Sequence, residues 1–165
     1  LEPSADAAVG CAAMAFKKGD IDGSVKFFDE AINLETDNAK KADNAYKAAS
    51  VLASAKKLSQ ARSYAQKAIS FNENFGAPYI LIAQLYAGNY KWNDEPALNK
   101  CTFFAAIDKL QRAKAVDPSV AEEANKLISS YSAYTPEAKD LFMLGYKAGD
   151  RITIGGWIGE TTTIR

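Results

Sequence analysis

Two apolar stripes on either side of an insertion constrain this chain more than any other feature of its sequence. The first stripe recurs at helical spacing and consists of Tyr79, Ile82, Ala83 and Tyr86. The second follows the insertion and consists of Ala106, Leu110 and Ala113. The pair Asp117–Pro118 ends it, because proline disfavours helix in the preceding residue. Bulky residues on one helix can face small residues on the next, so the sequence predicts a closely packed helical hairpin.

The pattern of the second helix recurs along the chain. Each copy begins with a small residue, and the copies follow one another at intervals scattered around roughly 34 residues. The small residues are Ser24, Ala61, Ala106 and Ala138. Four positions later come Phe28, Ala65, Leu110 and Phe142, and three positions further come Ala31, Ala68, Ala113 and Gly145. Four copies in register indicate a tandem array of helical hairpins.

These hairpins resemble the tetratricopeptide repeat (TPR), in which W-x2-L-G-x2-Y on one helix is followed by A-x3-F-x2-A on the next. The resemblance implies an all-α fold, a right-handed superhelix of about four TPR-like hairpins with a short extended C-terminal tail. We expect the repeats over residues 1–149, with an insert at 88–100. The tail, residues 150–165, is rich in Ile and Thr, reads as extended or hairpin structure, and is expected to pack on the repeats as a cap.

Composition excludes several classes of chemistry. The chain has no histidine, which removes histidine-based triads and metal sites, and two cysteines are too few for a four-ligand zinc site. Its 20 basic and 20 acidic residues cancel, which gives no overall basic field for nucleic acid. No apolar run approaches the roughly 20 residues that span a bilayer. We therefore predict a non-enzymatic protein without cofactor or metal, and an enzyme of unknown reaction remains an alternative.

The first helix of each hairpin lines the concave side of such arrays, where an extended peptide or a partner's helix binds. The residues at these inner positions are Asp43, Tyr46, Lys47, Ser50, Ile80, Leu81 and Gln84. They predict a groove for a protein or peptide partner, unless the chain's own tail or insert covers Ile80 and Leu81. Of the positions that form the carboxylate clamp of some TPR proteins, only Lys47 is basic here, so no such clamp is predicted.

Aromatic residues in the insert and tail are candidate anchors for a partner, because such residues dominate interface energetics. They are Tyr90, Trp92 and Trp157. The alternative is that the insert's aromatic residues pack over the widened third hairpin. Cys101, at the start of the helix after the insert, is either a reactive thiol favoured by the helix N-terminus or a small buried hydrophobe.

The tail also resembles the C-terminal ends of certain bacterial TPR proteins, through Gly155-Gly156-Trp157-Ile158 and Glu160-Thr161-Thr162. That resemblance implies a bacterial protein exported to the periplasm or envelope, with the cytoplasm left open. The chain does not begin with methionine, so we expect an upstream segment to have been removed, either with an export signal or by trimming. A structural component that docks into an envelope assembly through its tail is the second functional hypothesis. The oligomeric state stays open, with a monomer expected.

Overall fold

The computed structural model describes residues 3–165, and its helices and strands fall into two compact units. The first unit ends at Leu81 and the second begins at Ile82. One helix, α5 (Ala77–Gly88), runs through this division of the sequence. In the described residues, no helix has both the length and the hydropathy to cross a membrane.

The first unit is built from consecutive helical hairpins. Its helices are α1 (Ala5–Lys17), α2 (Ile21–Leu34), α3 (Asn38–Ser54), α4 (Leu58–Phe71) and the first part of α5. Helix α1 packs against α2, α2 against α3, and α3 against α4. The first two predicted hairpins are therefore confirmed as helix pairs.

Short polar side chains and one glycine set the ends of these helices. Ser4 caps α1, and the carboxylate of Asp20 accepts a hydrogen bond from the Gly23 amide at 2.9 Å, which satisfies a free N–H at the start of α2. Between the two helices Gly19 adopts a φ of 78°, a left-handed conformation that costs glycine little.

Small residues let the helices of the first unit approach closely. Alanines at the repeat positions, including Ala31, Ala61 and Ala68, have no exposed surface. The hydroxyl of Ser24 is buried as well and donates to the Ala12 carbonyl of the neighbouring helix at 2.8 Å. Buried polar groups are tolerated when paired in this way. The repeat pattern thus marks the helix faces that meet.

The second unit contains the remainder of α5, shorter helices and a two-stranded sheet. Its further elements are α6 (Pro96–Lys100), α7 (Thr102–Val116), a 3-10 turn (Pro118–Val120), α8 (Ala121–Ser132), α9 (Ala138–Met143), β1 (Arg151–Thr153) and β2 (Thr161–Thr163). Helix α7 packs against α8, and α9 contacts α6. The insert predicted at 88–100 therefore ends in a helical turn of its own.

The fourth copy of the repeat forms only a short second helix. Its helix, α9, has only 6 residues, and Gly145, the last position of the copy, lies beyond the end of α9 with a φ of 91°. Phe142 is 75% exposed, whereas the corresponding residues Phe28 and Leu110 are buried. The sequence pattern of the second helix continues to Gly145, but the helix ends at Met143, so the second helix of the fourth copy is shorter than predicted.

The tail forms an antiparallel hairpin on α7. Strand β1 pairs with β2 in the register Ile152↔Thr162, and both of these side chains are buried while Arg151 is exposed. Outside the strands, Ile154 and Ile158 are buried too. Period-two alternation of this kind is expected of a strand pair with one face on a core.

The surface that the tail covers includes a helix that the prediction did not name, α7. A cap was expected to cover the apolar residues of the last helix. Leu141 is buried, but Phe142, Met143 and Leu144 remain exposed. Strand β2 contacts α7, so the tail completes the packing around that helix, and Ile164 and Arg165 line a concavity together with Leu141 and Phe142.

Candidate functional site

The predicted inner residues of α3 make polar and aromatic contacts with residues of the first unit. Lys47 forms an ion pair with Asp43 at 3.1 Å, one helical turn away, and both side chains are about half exposed. The Ser50 hydroxyl donates to the Tyr46 carbonyl at 3.0 Å. The ring of Tyr46 lies edge-on to Phe75 with centroids 5.4 Å apart. This face offers polar contacts and part of one aromatic ring.

The predicted inner residues of α5 differ in accessibility. Ile80 is 4% exposed, so its role as an anchor for a partner is corrected: its side chain is already buried in the folded chain. Leu81 is half-buried. Gln84, in the second unit, is exposed and lies at the edge of a cavity.

This cavity, called the aromatic cavity below, is an apolar concavity of about 460 Å³ in the second unit. Aromatic rings, small residues and two longer polar side chains line it. The lining residues are Gln84, Ala87, Gly88, Tyr90, Lys100, Phe103, Tyr131 and Tyr134. Concave, mostly apolar sites with few polar groups are the usual form of a binding site.

The aromatic rings of the cavity are arranged around Phe103. Tyr90 and Tyr131 are tilted against it, with centroid distances of 5.1 and 5.9 Å. Tyr134 is stacked on it at 5.4 Å, with 27° between the ring planes. These separations lie in the range of favourable aromatic pairs. Phe103 is buried, whereas Tyr134 remains 56% exposed, so the cluster presents a ring to solvent.

Hydrogen bonds to the backbone fix two of the segments that carry these rings. The Tyr90 carbonyl accepts a hydrogen bond from the buried Thr102 hydroxyl at 2.9 Å, which ties the insert to the start of α7. The Tyr134 amide donates to the Tyr131 carbonyl at 3.0 Å, which extends the end of α8 by a turn. Burial raises the pKa of Tyr131 above its usual value, because the charged phenolate loses hydration. The neutral hydroxyl of Tyr131 is therefore favoured over the phenolate more strongly than in an exposed tyrosine.

Asn99 organises the insert. Its buried amide oxygen accepts hydrogen bonds from the backbone amides of Trp92 and Asn93 at 2.8 and 2.7 Å. Its amide nitrogen donates to the Asn93 carbonyl at 2.7 Å, and the Trp92 indole donates to the Leu98 carbonyl at 3.2 Å. One asparagine therefore replaces the hydrogen bonds that a helix or sheet would supply.

Trp92 and Trp157 contact the protein's own body. A Cβ placed on Gly155 would lie 2.7 Å from Cε3 of Trp92, so the ring packs directly against the backbone of the tail. Trp157 lies edge-on to Tyr86, with centroids 5.5 Å apart and 68° between the planes. Of the three aromatic anchors predicted from the sequence, only Tyr90 lines the aromatic cavity.

Two carboxylates, one on α7 and one in the tail, link the tail to helices of the second unit. Asp108 on α7 accepts a hydrogen bond from the Thr162 hydroxyl at 2.6 Å and forms an ion pair with Arg165. Glu160 accepts a hydrogen bond from the Tyr86 hydroxyl and pairs with Lys109 at 2.6 Å. These polar contacts are directional, whereas the burial of the tail's isoleucines is not.

The structure decides between the two interpretations of Cys101. The side chain has no exposed surface, and burial raises the pKa of its thiol to about 11. A thiol with this pKa carries almost no thiolate at pH 7, so of the two interpretations the structure supports the small buried hydrophobe and not the reactive thiol. Within residues 3–165, no cluster of acidic and cysteine side chains is suited to holding a metal ion.

Sequence reasoning missed most of the cavity. Phe103, Tyr131 and Tyr134 were not predicted, because they lie outside the inner positions of the repeat. Two tyrosines three residues apart in the uncharged stretch 127–136 have the spacing that brings side chains together on a helix, and that spacing was the available signal.

The chain matches no protein-family profile and no characterised protein sequence. It is similar in structure to the TPR2B domain of yeast Sti1, solved as a pHsp70 complex, with a TM-score of 0.60 and 23% identity; the match covers 78% of this chain and 96% of that one. It is also similar to the first TPR of Spaghetti (RPAP3), bound to the HSP90 peptide SRMEEVD, with a TM-score of 0.58 and 16% identity over 79% of this chain and 94% of that one. These likenesses show the fold, and the predicted all-α, TPR-type fold class is confirmed.

Proposed function

We propose that this protein is a non-enzymatic interaction scaffold that binds a peptide segment of a protein partner, with the aromatic cavity receiving an apolar side chain of that segment. The observation that carries the proposal is the exposed ring of Tyr134 stacked on the buried ring of Phe103. A large aromatic surface held in a concavity and left open to water is typical of an interaction site.

The size and polarity of the cavity suit a peptide. A volume of about 460 Å³ has room for a bulky side chain with part of its backbone. The Gln84 amide and the tyrosine hydroxyls can donate and accept hydrogen bonds at the edge. Ala87 and Gly88 at the end of α5 have little or no side chain, which leaves the space open.

The solved domains of similar fold support a peptide partner. One is described as a pHsp70 complex and the other as bound to the HSP90 peptide SRMEEVD. The fold is thus compatible with peptide binding. The kind of peptide that this chain binds is inferred from the residues that line its own cavity. The absence of most clamp residues at the matching positions argues against the same binding mode.

Selection from a displayed library of random peptides tests the proposal. The full chain is immobilised, the enriched peptides are synthesised with a fluorophore, and their affinities are measured by fluorescence anisotropy. Tyr134→Ala removes the exposed ring of the cavity and should weaken binding at least about fivefold, because truncation of an aromatic anchor commonly costs more than about 1 kcal/mol.

Phe142→Ala is the matched control. It removes another exposed aromatic ring of the second unit that does not line the cavity, and affinity should stay unchanged. If Tyr134→Ala and Phe142→Ala bind every selected peptide like the wild type, the aromatic cavity is not the site. Circular dichroism spectra of both variants verify that they fold.

Docking through the tail into an envelope assembly is the second candidate function. The two-stranded form of the sheet favours it, because each strand pairs with the other on one side only and its second edge can pair with a strand of another chain. Burial of Ile152, Ile154 and Ile164 argues that the tail belongs to its own unit. Export to the bacterial periplasm or envelope remains part of the proposal, and fractionation of the native cells tests it.

A further inference from the structure

The charges of the residues that line the aromatic cavity indicate the charge of its ligand. This inference rests on the proposed function. We propose that the bound peptide places an acidic side chain next to its apolar anchor, and that the Lys100 ammonium pairs with this carboxylate. The ligand class is thus a segment in which Asp or Glu neighbours a bulky aliphatic or aromatic residue.

None of the residues that line the cavity is acidic. The stretches 82–90, 100–107 and 127–136 together contain a single charged residue, Lys100. The next charge along the chain from Tyr90 is also positive, Lys91. A concavity with apolar walls focuses the field of the charge it contains, so an acidic group is attracted and a basic group is repelled.

Lys100 is available for this role. It is exposed at the end of α6, and within residues 3–165 no carboxylate pairs with it, in contrast to Lys109, which is occupied by Glu160. A lysine that lines an aromatic cavity presents its methylene groups to the apolar wall and its ammonium to the edge. An apolar side chain inside and a carboxylate at the edge match this arrangement.

The display experiment tests the inference when it is repeated with a charge reversal. Random peptides are fused through their C-termini to the coat protein, so that side chains are the only carboxylates they offer. Pools are selected on the wild type, on Lys100→Glu, and on Lys91→Glu as a matched control, and are then sequenced. Lys91 is exposed and close in sequence but does not line the cavity.

The wild-type and Lys91→Glu pools should be enriched at least about twofold in Asp and Glu beside a bulky apolar residue, and the Lys100→Glu pool should be enriched in Lys and Arg there. For a synthesised acidic peptide, Lys100→Gln should lower affinity by up to about fivefold, because ion pairs of exposed side chains are worth up to about 1 kcal/mol. This loss of affinity should become smaller as salt is raised from roughly 50 to 500 mM. The Debye length falls over this range, so the ion pair is screened more strongly.

Other outcomes overturn specific parts of the account. Pools enriched in apolar residues but with equal acidic content on wild type and Lys100→Glu refute the charge inference and leave peptide binding intact. Pools with no enrichment over the naive library refute both. Self-association of the free chain that Tyr134→Ala abolishes, measured by analytical ultracentrifugation, identifies a second copy as the occupant and refutes the acidic-peptide proposal.

Discussion

The substitution Ile154→Ala tests whether the tail is an integral part of the second unit. The side chain of Ile154 has no exposed surface, and its amide donates to the Glu160 carbonyl at 2.8 Å. Changing Ile154→Ala deletes three carbon atoms from this position while keeping the backbone hydrogen bond. The perturbation is therefore confined to packing.

The expected magnitude follows from the burial. Loss of three buried carbons removes about 2–3 kcal/mol of transfer free energy, and the cavity left behind brings the usual total for such a change to about 2–5 kcal/mol. For a chain of this size each kcal/mol lowers the melting temperature by roughly 2–4 °C. We expect Ile154→Ala to melt between roughly 4 and 20 °C below the wild type.

Thermal unfolding followed by circular dichroism measures the effect, with Arg151→Ala as the control. Arg151 belongs to the same tail but is exposed, and surface substitutions usually change the unfolding free energy by less than about 0.5 kcal/mol. If Ile154→Ala and Arg151→Ala melt within about 1 °C of each other, the tail is not packed as described. The hypothesis of a docking strand would then gain support.

Three further predictions concern glycine packing, tyrosine ionisation and thiol reactivity. Gly155→Ala should lower the unfolding free energy by about 1–3 kcal/mol, because its Cβ would overlap a tryptophan ring. Gly10→Ala, in open space on α1, should raise the unfolding free energy by up to about 1 kcal/mol. Denaturant titrations measure both changes, and equal effects would contradict this. Burial and the neighbouring Asp29 raise the pKa of Tyr64 to about 12, so its contribution to stability is complete below pH 10 and is lost as the pH rises through 12. Ultraviolet titration of the wild type against Tyr64→Phe checks this, and a difference spectrum that titrates at pH 10 would refute it. The exposed Cys11 should react quickly with a thiol reagent and the buried Cys101 only after denaturation; rapid modification of both in the folded chain would contradict the structure.

The sequence predicted the parts of the fold in which packing repeats itself. Close helix contacts require small residues at fixed positions, and Ala31, Ala68 and Ala113 occupy such positions in three copies and are buried. In the fourth copy Gly145 follows the end of a short helix, and Phe142 is exposed. Periodicity records which residues could share a face, and tertiary packing decides whether that face is covered.

The aromatic cavity was harder to predict, because it is built from segments distant in sequence. Phe103 belongs to α7, while Tyr90 lies in the insert and Tyr134 beyond the end of α8. Contacts between such segments leave no short-range pattern. Gln84 was predicted as an inner-surface residue from its repeat position, and in the structure it lines the cavity. Ile80, predicted by the same reasoning, is buried, because a repeat position specifies direction but not exposure.

The central claim is that a peptide side chain enters the aromatic cavity, and intermolecular nuclear Overhauser effects test it most directly. The full chain is prepared with ¹³C-labelled tyrosine and phenylalanine rings and is mixed with an unlabelled peptide from the display selection. We predict Overhauser effects between an apolar side chain of the peptide and the rings of Phe103, Tyr131 and Tyr134. Effects to Tyr46 on α3, with none to the three rings of the cavity, would contradict the account.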